Sequence, residues 1–301
     1  MGRGTERGSG GDATRHVLIH AGSHKTGTTS LQSLFTAQRA ALHESGILYP
    51  FTGVLPNGTG IDSQTNIAWE LLGHNAFDPA VGTLDELIAE VALSDCEKVL
   101  VSSEEFARLF DKPERLLRLR TSFEDAGFAP RIGLVFRDMA ECADTLFVTL
   151  LPYGLELSHE EFIRRATEEG KVTIKGNSYG FDRGLITKAF ADVFGESAVT
   201  CIDYDRKDAV GPFLDAFDWF FAGALNEADT SIRANTIMDG VERLQSSIRA
   251  GEARIVDLEG EVERLSEEVE SLTARLTASN HRLSLRLGGR LRSILAARRT
   301  G

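Results

Sequence analysis

One stretch near the N-terminus combines the residue types that bind phosphate groups. A short apolar run at residues 17–19 ends shortly before Gly22 and is followed by Ser-His-Lys-Thr-Gly-Thr-Thr, residues 23–29. The apolar run predicts a buried strand, and a helix is expected to begin near Thr28. A strand, a glycine-containing turn and a helix N-terminus together present free backbone N–H groups to an anion. Because Lys25 adds a positive charge, this stretch predicts a phosphate-binding turn.

The order of residues in this turn distinguishes two kinds of nucleotide-binding loop. In the nucleoside-triphosphate pattern G-x-x-x-x-G-K-[ST] the lysine follows the second glycine, whereas here Lys25 precedes Gly27. Lys-Thr-Gly-Thr-Thr resembles the 5'-phosphosulfate loop of sulfotransferases that use 3'-phosphoadenosine 5'-phosphosulfate (PAPS), and its flanks look most like the bacterial carbohydrate-type members. The resemblance implies that five residues bind PAPS: Lys25, Thr26, Gly27, Thr28 and Thr29. The alternative is a helix N-terminus with ordinary capping threonines.

Three further residues extend the resemblance, and two of them, Arg137 and Tyr204, come shortly after predicted strands. Arg137 follows the third predicted strand and Thr145 lies eight residues on; in the family an Arg and a Ser at these places bind the 3'-phosphate, and Thr keeps the hydroxyl. Tyr204 resembles the family's Tyr beside the adenosine. From the residues alone, an Arg fork and a hydroxyl two helical turns apart can share one anion. The alternative for Arg137 is a surface salt bridge with Asp138 or Glu141.

Sulfuryl transfer needs a base for the acceptor hydroxyl and a cation for the leaving oxygen. The resemblance assigns the second role to Lys25. Glu104 follows the second predicted strand, where some glycan-modifying relatives use Glu, and is the candidate catalytic base, with Glu105 as its rival. The alternative for Glu104 is a first-turn residue favoured only by the helix dipole.

The elements that position these residues alternate between short apolar strands and longer helices. Strands are predicted at residues 17–19, 98–102, 132–136 and 199–202, with helices of ten or more residues between them. This alternation predicts βαβ crossovers and a parallel sheet whose carboxyl-terminal edge carries the ligand. The expected class is α/β, and the resemblance implies a P-loop-like sulfotransferase fold over residues 16–236.

Composition excludes several other classes of protein. The net charge of −12 argues against non-specific nucleic-acid binding, and no apolar run is long enough to cross a membrane. Residues 1–15 lack an apolar signal segment and are expected to be a disordered leader. Three widely spaced cysteines predict neither disulfides nor a metal site, which favours a cytoplasmic protein without a metal.

The C-terminal part has a different pattern. Apolar residues in residues 237–280 follow heptad spacing, with β-branched residues at a and Leu at d, which predicts a coiled coil and a parallel homodimer. The alternative is a helix folded back on the α/β domain. Residues 281–301 hold six Arg and no acidic residue. This tail predicts peripheral membrane contact at the inner face of the membrane, or a solvated basic end.

The predicted function is transfer of a sulfuryl group from PAPS to a hydroxyl of a carbohydrate or glycolipid, the acceptor class being implied by the resemblance. Tyr49, Trp69 and Tyr153 are candidate sugar-stacking residues, although core packing is the alternative expected for at least two of them. Two other functions stay open. One is a P-loop kinase using ATP, and the other is a non-catalytic coiled-coil scaffold with a degenerate nucleotide pocket.

Overall fold

The computed structural model describes residues 14–23, 28–55, 63–225, 263–266 and 271. The chain divides into two compact units, residues 1–237 and 238–301. In the second unit, the described residues 263–266 are helical and exposed, and the rest of the predicted coiled coil and the basic tail lies outside the described residues, except residue 271. Among the residues described, no helix has the length and apolar content that crossing a membrane requires.

A parallel sheet forms the centre of the first unit. In the described part of the chain, its five strands are β1 (Arg15–Gly22), β2 (Ile47–Leu48), β3 (Lys98–Ser102), β4 (Phe128–Phe136) and β7 (Val199–Asp203), in the order β2-β3-β1-β4-β7. Every neighbouring pair is parallel. A separate antiparallel hairpin joins β5 (Lys171–Ile174) to β6 (Asn177–Gly180). The predicted α/β class with a parallel sheet flanked by helices is confirmed.

Helices cover both faces of the sheet because its strands are apolar on both sides. The α-helices among the described residues are α1 (Thr28–Ala37), α2 (Arg39–Glu44), α3 (Thr65–Leu72), α4 (Leu84–Leu93), α5 (Pro113–Asp125), α6 (Met139–Leu150), α7 (His159–Glu168), α8 (Arg183–Phe194), α9 (Gly211–Ala216) and α10 (Asp218–Phe221). Four 3-10 helices span Pro79–Val81, Glu104–Asp111, Leu151–Tyr153 and Glu196–Ala198 in that part. Helices α1, α2, α9 and α10 pack on one face, and α3, α4, α5 and α8 on the other.

A smaller apolar cluster lies beside the sheet and joins α6 and α7 to the β5–β6 hairpin. Phe162 is fully buried at its centre, with its ring edge-to-face against Phe147 and Phe181. Residues of α6, α7 and the hairpin all contribute to this cluster, so it holds the hairpin against these two helices.

Local sequence signals placed some boundaries correctly and missed others. Pro113 begins α5, and the predicted capping box of Thr83 and Glu86 opens α4 with both reciprocal hydrogen bonds. Apolar residues from Thr28 to Ser45 have the spacing that predicts one helix, but the structure has two, α1 and α2. The amphipathic segment from Tyr179 to Phe194 is helical only from Arg183, because Tyr179 belongs to β6 and the Asp182 side chain caps α8 by accepting from the Leu185 N–H.

One glycine in β4 makes room for an aromatic contact under the sheet. A Cβ atom at Gly133 would lie 2.7 Å from the ring of Phe213 and 2.8 Å from the ring of Phe217. Gly133 pairs with His20 of β1, and the Phe213 ring packs edge-to-face on the His20 ring at 4.9 Å between centroids. The missing side chain at Gly133 therefore allows α9 to approach the centre of the sheet.

Replacing Gly133 by Ala is expected to lower the free energy of unfolding by about 1–3 kcal/mol, because the added methyl overpacks two rings. Urea unfolding followed by circular dichroism measures the change. In a Phe213→Leu background the same replacement should cost less, since one of the two close contacts is relieved. Equal costs in the two backgrounds would contradict the packing explanation.

Candidate functional site

The carboxyl ends of four strands lie along one edge of the sheet. Because β1 pairs with β3 on one side and with β4 on the other, Ser102 lies beside His20 and Val135 beside Gly22. The connection from β1 to β2 crosses the face covered by α1 and α2, whereas α5 connects β3 to β4 across the opposite face. Crossovers that diverge to opposite faces leave a crevice at the carboxyl ends, where open α/β sheets bind ligands.

The predicted phosphosulfate loop leaves the sheet at the end of β1. The Ser23 N–H donates to the Val135 carbonyl oxygen at 2.9 Å, which ties the last residue before the loop to β4. Helix α1 begins at Thr28, as the sequence predicts. Lys25, Thr26 and Gly27 lie outside the described residues, as do the side chains of Thr28 and Thr29, so their predicted contacts stay predictions.

Glu104 is connected to the helix that follows this loop. Its carboxylate oxygen Oε2 accepts a hydrogen bond from the Gln32 amide nitrogen Nε2 at 3.1 Å. Gln32 is buried and lies on α1 one helical turn after Thr28. The Ser103 side chain caps the 3-10 helix at Glu104–Asp111, and the Ser103 N–H donates to the His20 carbonyl oxygen at 3.1 Å. The end of β3 and the start of α1 therefore position the Glu104 carboxylate jointly.

Glu105 has a different set of contacts. Its carboxylate pairs with the Arg108 guanidinium, which is 4% exposed. Arg108 also donates to the Asn177 side-chain oxygen at 2.8 Å and lies over the Tyr179 ring at 4.5 Å from its centroid. These contacts connect the 3-10 helix to the β5–β6 hairpin, so Glu105 has a structural role that Glu104 lacks.

Arg137 lies at the end of β4 among groups of both charges. Its Nε donates to a Glu141 carboxylate oxygen at 3.0 Å, and Arg206 binds the same oxygen at 2.7 Å. Hydrogen bonds from Arg206 and then Arg137 lower the pKa of Glu141. The Arg137 guanidinium lies 6.0 Å from the centroid of the Tyr204 ring. Sequence analysis named Arg137 and Tyr204 but missed Arg206, which no motif marks.

Thr145 lies on α6, one helical turn after Glu141. The Thr145 hydroxyl donates to the Glu141 carbonyl oxygen at 2.7 Å, a bond within α6. Arg137 and Glu141 form a salt bridge, which the sequence offered as the alternative to phosphate binding by Arg137.

His20 lies near the carboxyl end of β1 and is fully buried. Its Nδ1 lies 2.8 Å from the Ser102 hydroxyl oxygen, while Nε2 is buried with no hydrogen-bond partner among the described residues. Burial lowers the pKa of His20 to about 3, so the ring is neutral near pH 7. A neutral ring packed on Phe213 supports the end of β1 and is not a proton donor to the crevice.

Metal-ligating side chains come together at the opposite end of the sheet. Among the described residues, the ligand atoms of His43, Asp95 and Cys96 lie within 4.8 Å of one another. Cys96 precedes β3, so this group lies away from the carboxyl-terminal edge. His43 is distant in the chain from the other two residues, so no sequence motif marks the group. The expectation of a protein without a metal stays a prediction.

The three candidate stacking residues have different surroundings. Tyr49 is 1% exposed and packs edge-to-face on Phe35, so it is a core residue. Trp69 and Tyr153 line a cleft that adjoins Glu105. The core-packing alternative therefore holds for Tyr49 alone.

Comparisons with known proteins give a structural likeness and no match by sequence. No family model matches the sequence, and no curated protein matches it. A solved structure of a sulfotransferase from Alicyclobacillus acidocaldarius is similar to this chain, with 15% sequence identity and a TM-score of 0.40. The alignment covers 79% of this chain and 97% of that chain.

The protonation of His20 predicts a loss of stability in acid. The unfolded chain takes up a proton near pH 6.5 and the folded chain only near pH 3, so unfolding becomes easier as the pH falls through this window. Between pH 7 and pH 5 the expected loss from this group is about 2 kcal/mol.

Urea unfolding of wild type and His20→Asn at the two pH values measures this loss. His20→Asn should have a lower free energy of unfolding than wild type at pH 7. It should lose less of that free energy than wild type does between pH 7 and pH 5. His43→Asn, which changes an exposed histidine of α2, is the matched control. The linkage is wrong if His20→Asn and wild type lose the same free energy.

Proposed function

We propose that this chain is a sulfotransferase that transfers a sulfuryl group from PAPS to a hydroxyl of a carbohydrate or glycolipid. The observation that carries the proposal is Lys-Thr-Gly-Thr-Thr at residues 25–29, between the central strand β1 and helix α1. A strand end followed by a helix N-terminus supplies the N–H groups that hold a phosphate. Arg137, at the end of the adjacent strand β4, supplies a second anion-binding group at the same edge.

The two ends of PAPS need two separated anion sites, and the residues of this edge can supply both. The loop at residues 25–29 would hold the 5'-phosphosulfate. Arg137 would hold the 3'-phosphate, and the Tyr204 ring beside it would contact the adenosine. Arg137 and Arg206 both contact the Glu141 carboxylate, and the 3'-phosphate would take the place of that carboxylate beside them.

The reaction then requires one proton transfer and one displacement. The acceptor oxygen attacks sulfur and loses its proton to the Glu104 carboxylate, while the bond from sulfur to the 5'-phosphate oxygen breaks. Lys25 would neutralise the charge that develops on that oxygen. The products are a sulfate ester and adenosine 3',5'-bisphosphate. Gln32 fixes the Glu104 carboxylate next to α1, so the proposed base and the proposed loop belong to one local framework.

Binding of adenosine 3',5'-bisphosphate tests the donor site. Lys25→Ala and Arg137→Ala should each weaken binding by about 10- to 100-fold, because each removes a charge-assisted hydrogen bond to phosphate. Isothermal titration calorimetry measures the affinity of each variant. Glu141→Gln should bind more tightly than wild type, since it removes the carboxylate that competes for Arg137 and Arg206.

Matched controls separate these effects from general changes in charge. Arg131→Ala removes another arginine of β4 far from this edge, and Lys188→Ala removes an exposed lysine of α8. Both should bind the nucleotide as wild type does. Unchanged affinity in Lys25→Ala refutes the loop assignment. Tighter binding of ATP with Mg²⁺ than of adenosine 3',5'-bisphosphate would favour the kinase alternative instead.

The two adjacent glutamates should respond differently to the same isosteric change. Glu104→Gln keeps a hydrogen-bond acceptor for Gln32 but cannot take a proton, so turnover should fall by about 10²- to 10⁴-fold with unchanged stability. Glu105→Gln leaves the buried Arg108 charge without its carboxylate and should lower the free energy of unfolding by about 3 kcal/mol.

Sulfate transfer from radiolabelled PAPS to a panel of glycans measures turnover, and urea unfolding measures stability. The assignment of the base is wrong if Glu104→Gln keeps wild-type turnover. Absence of turnover in wild type with every glycan, together with intact nucleotide binding, would favour the scaffold alternative.

A further inference from the structure

A large cleft adjoins the candidate site on the side of the β5–β6 hairpin. Its volume is about 1010 Å³, and it is bounded by the end of α3 with the following loop, the 3-10 helix at Glu104–Asp111, the end of α6 and the hairpin. We call it the hairpin cleft. Its volume is at the upper end of the range for sites that hold drug-sized ligands, so it has room for more than one sugar ring.

The walls of the hairpin cleft present aromatic surfaces. The Trp69 ring stacks on the His74 ring with 5.3 Å between centroids and 21° between planes. Tyr179 covers Arg108 on the hairpin side, and Tyr153 is 75% exposed. Leu146, Leu150 and Ile174 add apolar surface. Flat aromatic rings with a polar edge match the C–H faces and the hydroxyl rim of sugar rings.

The charge of the lining excludes a strongly anionic ligand. Glu105 and Arg108 are paired with each other, so their charges cancel. Burial, followed by the charge of Arg108, lowers the pKa of His74, which is therefore neutral near pH 7. Lys175 is the remaining cation among the residues that line the cleft. A polyanion would need several basic groups, whereas this lining offers one.

Lys175 occupies a strained backbone position. Its φ is 49° and that of Gly176 is 81°, and these two residues form the turn between the paired Ile174 and Asn177. Such turns favour Asn, Asp or Gly at the first position, so a lysine there is conformationally costly. Its Nζ donates to the Tyr153 carbonyl oxygen at 3.3 Å, which connects the hairpin to the opposite wall. Strain kept at one wall of a cleft points to a functional side chain.

We infer that the hairpin cleft binds the acceptor, an oligosaccharide of more than one sugar that carries at most one negative charge. Trp69 and Tyr153 stack on its rings, and Lys175 contacts its polar rim. Glu105 lines the cleft and is adjacent in sequence to the proposed base Glu104, whose carboxylate is bonded to Gln32 of α1. The cleft would therefore hold the sugars that adjoin the one presented to the base. The identification of this sugar as the acceptor rests on the proposed function.

Tryptophan fluorescence tests this site without any need for turnover. The chain has two tryptophans, so Trp219→Phe leaves Trp69 as the single emitter and Trp69→Phe leaves Trp219. The probes are four neutral tetrasaccharides, namely cello-, malto-, xylo- and chitotetraose, and a heparin tetrasaccharide as the polyanion. At least one neutral probe should change Trp69 emission saturably and leave Trp219 emission unchanged.

Substitutions in the cleft should weaken that binding. Tyr153→Ala in the Trp219→Phe background should lose about fivefold or more in affinity, because one stacking surface is removed. Phe51→Ala, which changes an aromatic residue that is 67% exposed outside the cleft, is its matched control. Lys175→Gly should also weaken binding while raising Tm, since glycine relieves the backbone strain. A merely structural lysine would not combine these two effects.

Three results would overturn the inference. They are no response of Trp69 to any neutral probe, tighter binding of the heparin tetrasaccharide than of every neutral one, or unchanged affinity in Tyr153→Ala. Titration of the same proteins with adenosine 3',5'-bisphosphate distinguishes this failure from failure of the proposed function. Sugar binding without nucleotide binding would refute the sulfotransferase proposal and leave a glycan site, whereas nucleotide binding without sugar binding would refute the cleft assignment alone.

Discussion

Parallel pairing of β1 between β3 and β4 is the constraint on which the candidate site depends. The hydrogen-bond ladders run from Arg15 to Gly22 against β4 and from His16 to His20 against β3. Since all three strands point the same way, their carboxyl ends are fixed within the spacing of adjacent strands. The loop after Ser23, the glutamates after Ser103 and Arg137 therefore share one edge, although more than a hundred residues separate the first from the last.

The core beneath this edge is arranged around a buried polar residue. His20 interrupts the apolar run of β1, bonds to the Ser102 hydroxyl of β3 and is covered by Phe213 from α9. Burial of an imidazole is compatible with stability only in the neutral form, which links the packing of the site to pH. Gly133 completes the arrangement, because its missing side chain lets the Phe213 ring reach the sheet.

Two adjacent glutamates connect the edge to different parts of the first unit. Glu104 joins α1 through Gln32, whereas Glu105 joins the hairpin through Arg108 and Asn177. One 3-10 helix thus contacts α1 through Glu104 and lines the hairpin cleft through Glu105. In the proposed reaction the base would lie between the donor and the acceptor, as an in-line transfer requires.

The sequence alone determined the class of the fold and placed the candidate residues at the carboxyl-terminal edge of the sheet. Strands at residues 98–102 and 199–202 were identified because continuous apolar runs between helical segments are typical of a parallel sheet buried on both faces. Pro113 and the capping box at Thr83 marked helix starts, because these signals depend only on neighbouring residues. Arg137, Tyr204 and Glu104 were named because each follows a strand.

Only the tertiary structure decided which of these residues meet and what surrounds them. The β5–β6 hairpin was missed because its strands are four residues long, largely polar and lack clear alternation. The Gln32–Glu104 bond, the Arg206–Glu141 pair and the walls of the hairpin cleft each join segments that are distant in the chain. No local pattern encodes such contacts, because they arise only when the crossovers pack and bring separate strand ends to one edge.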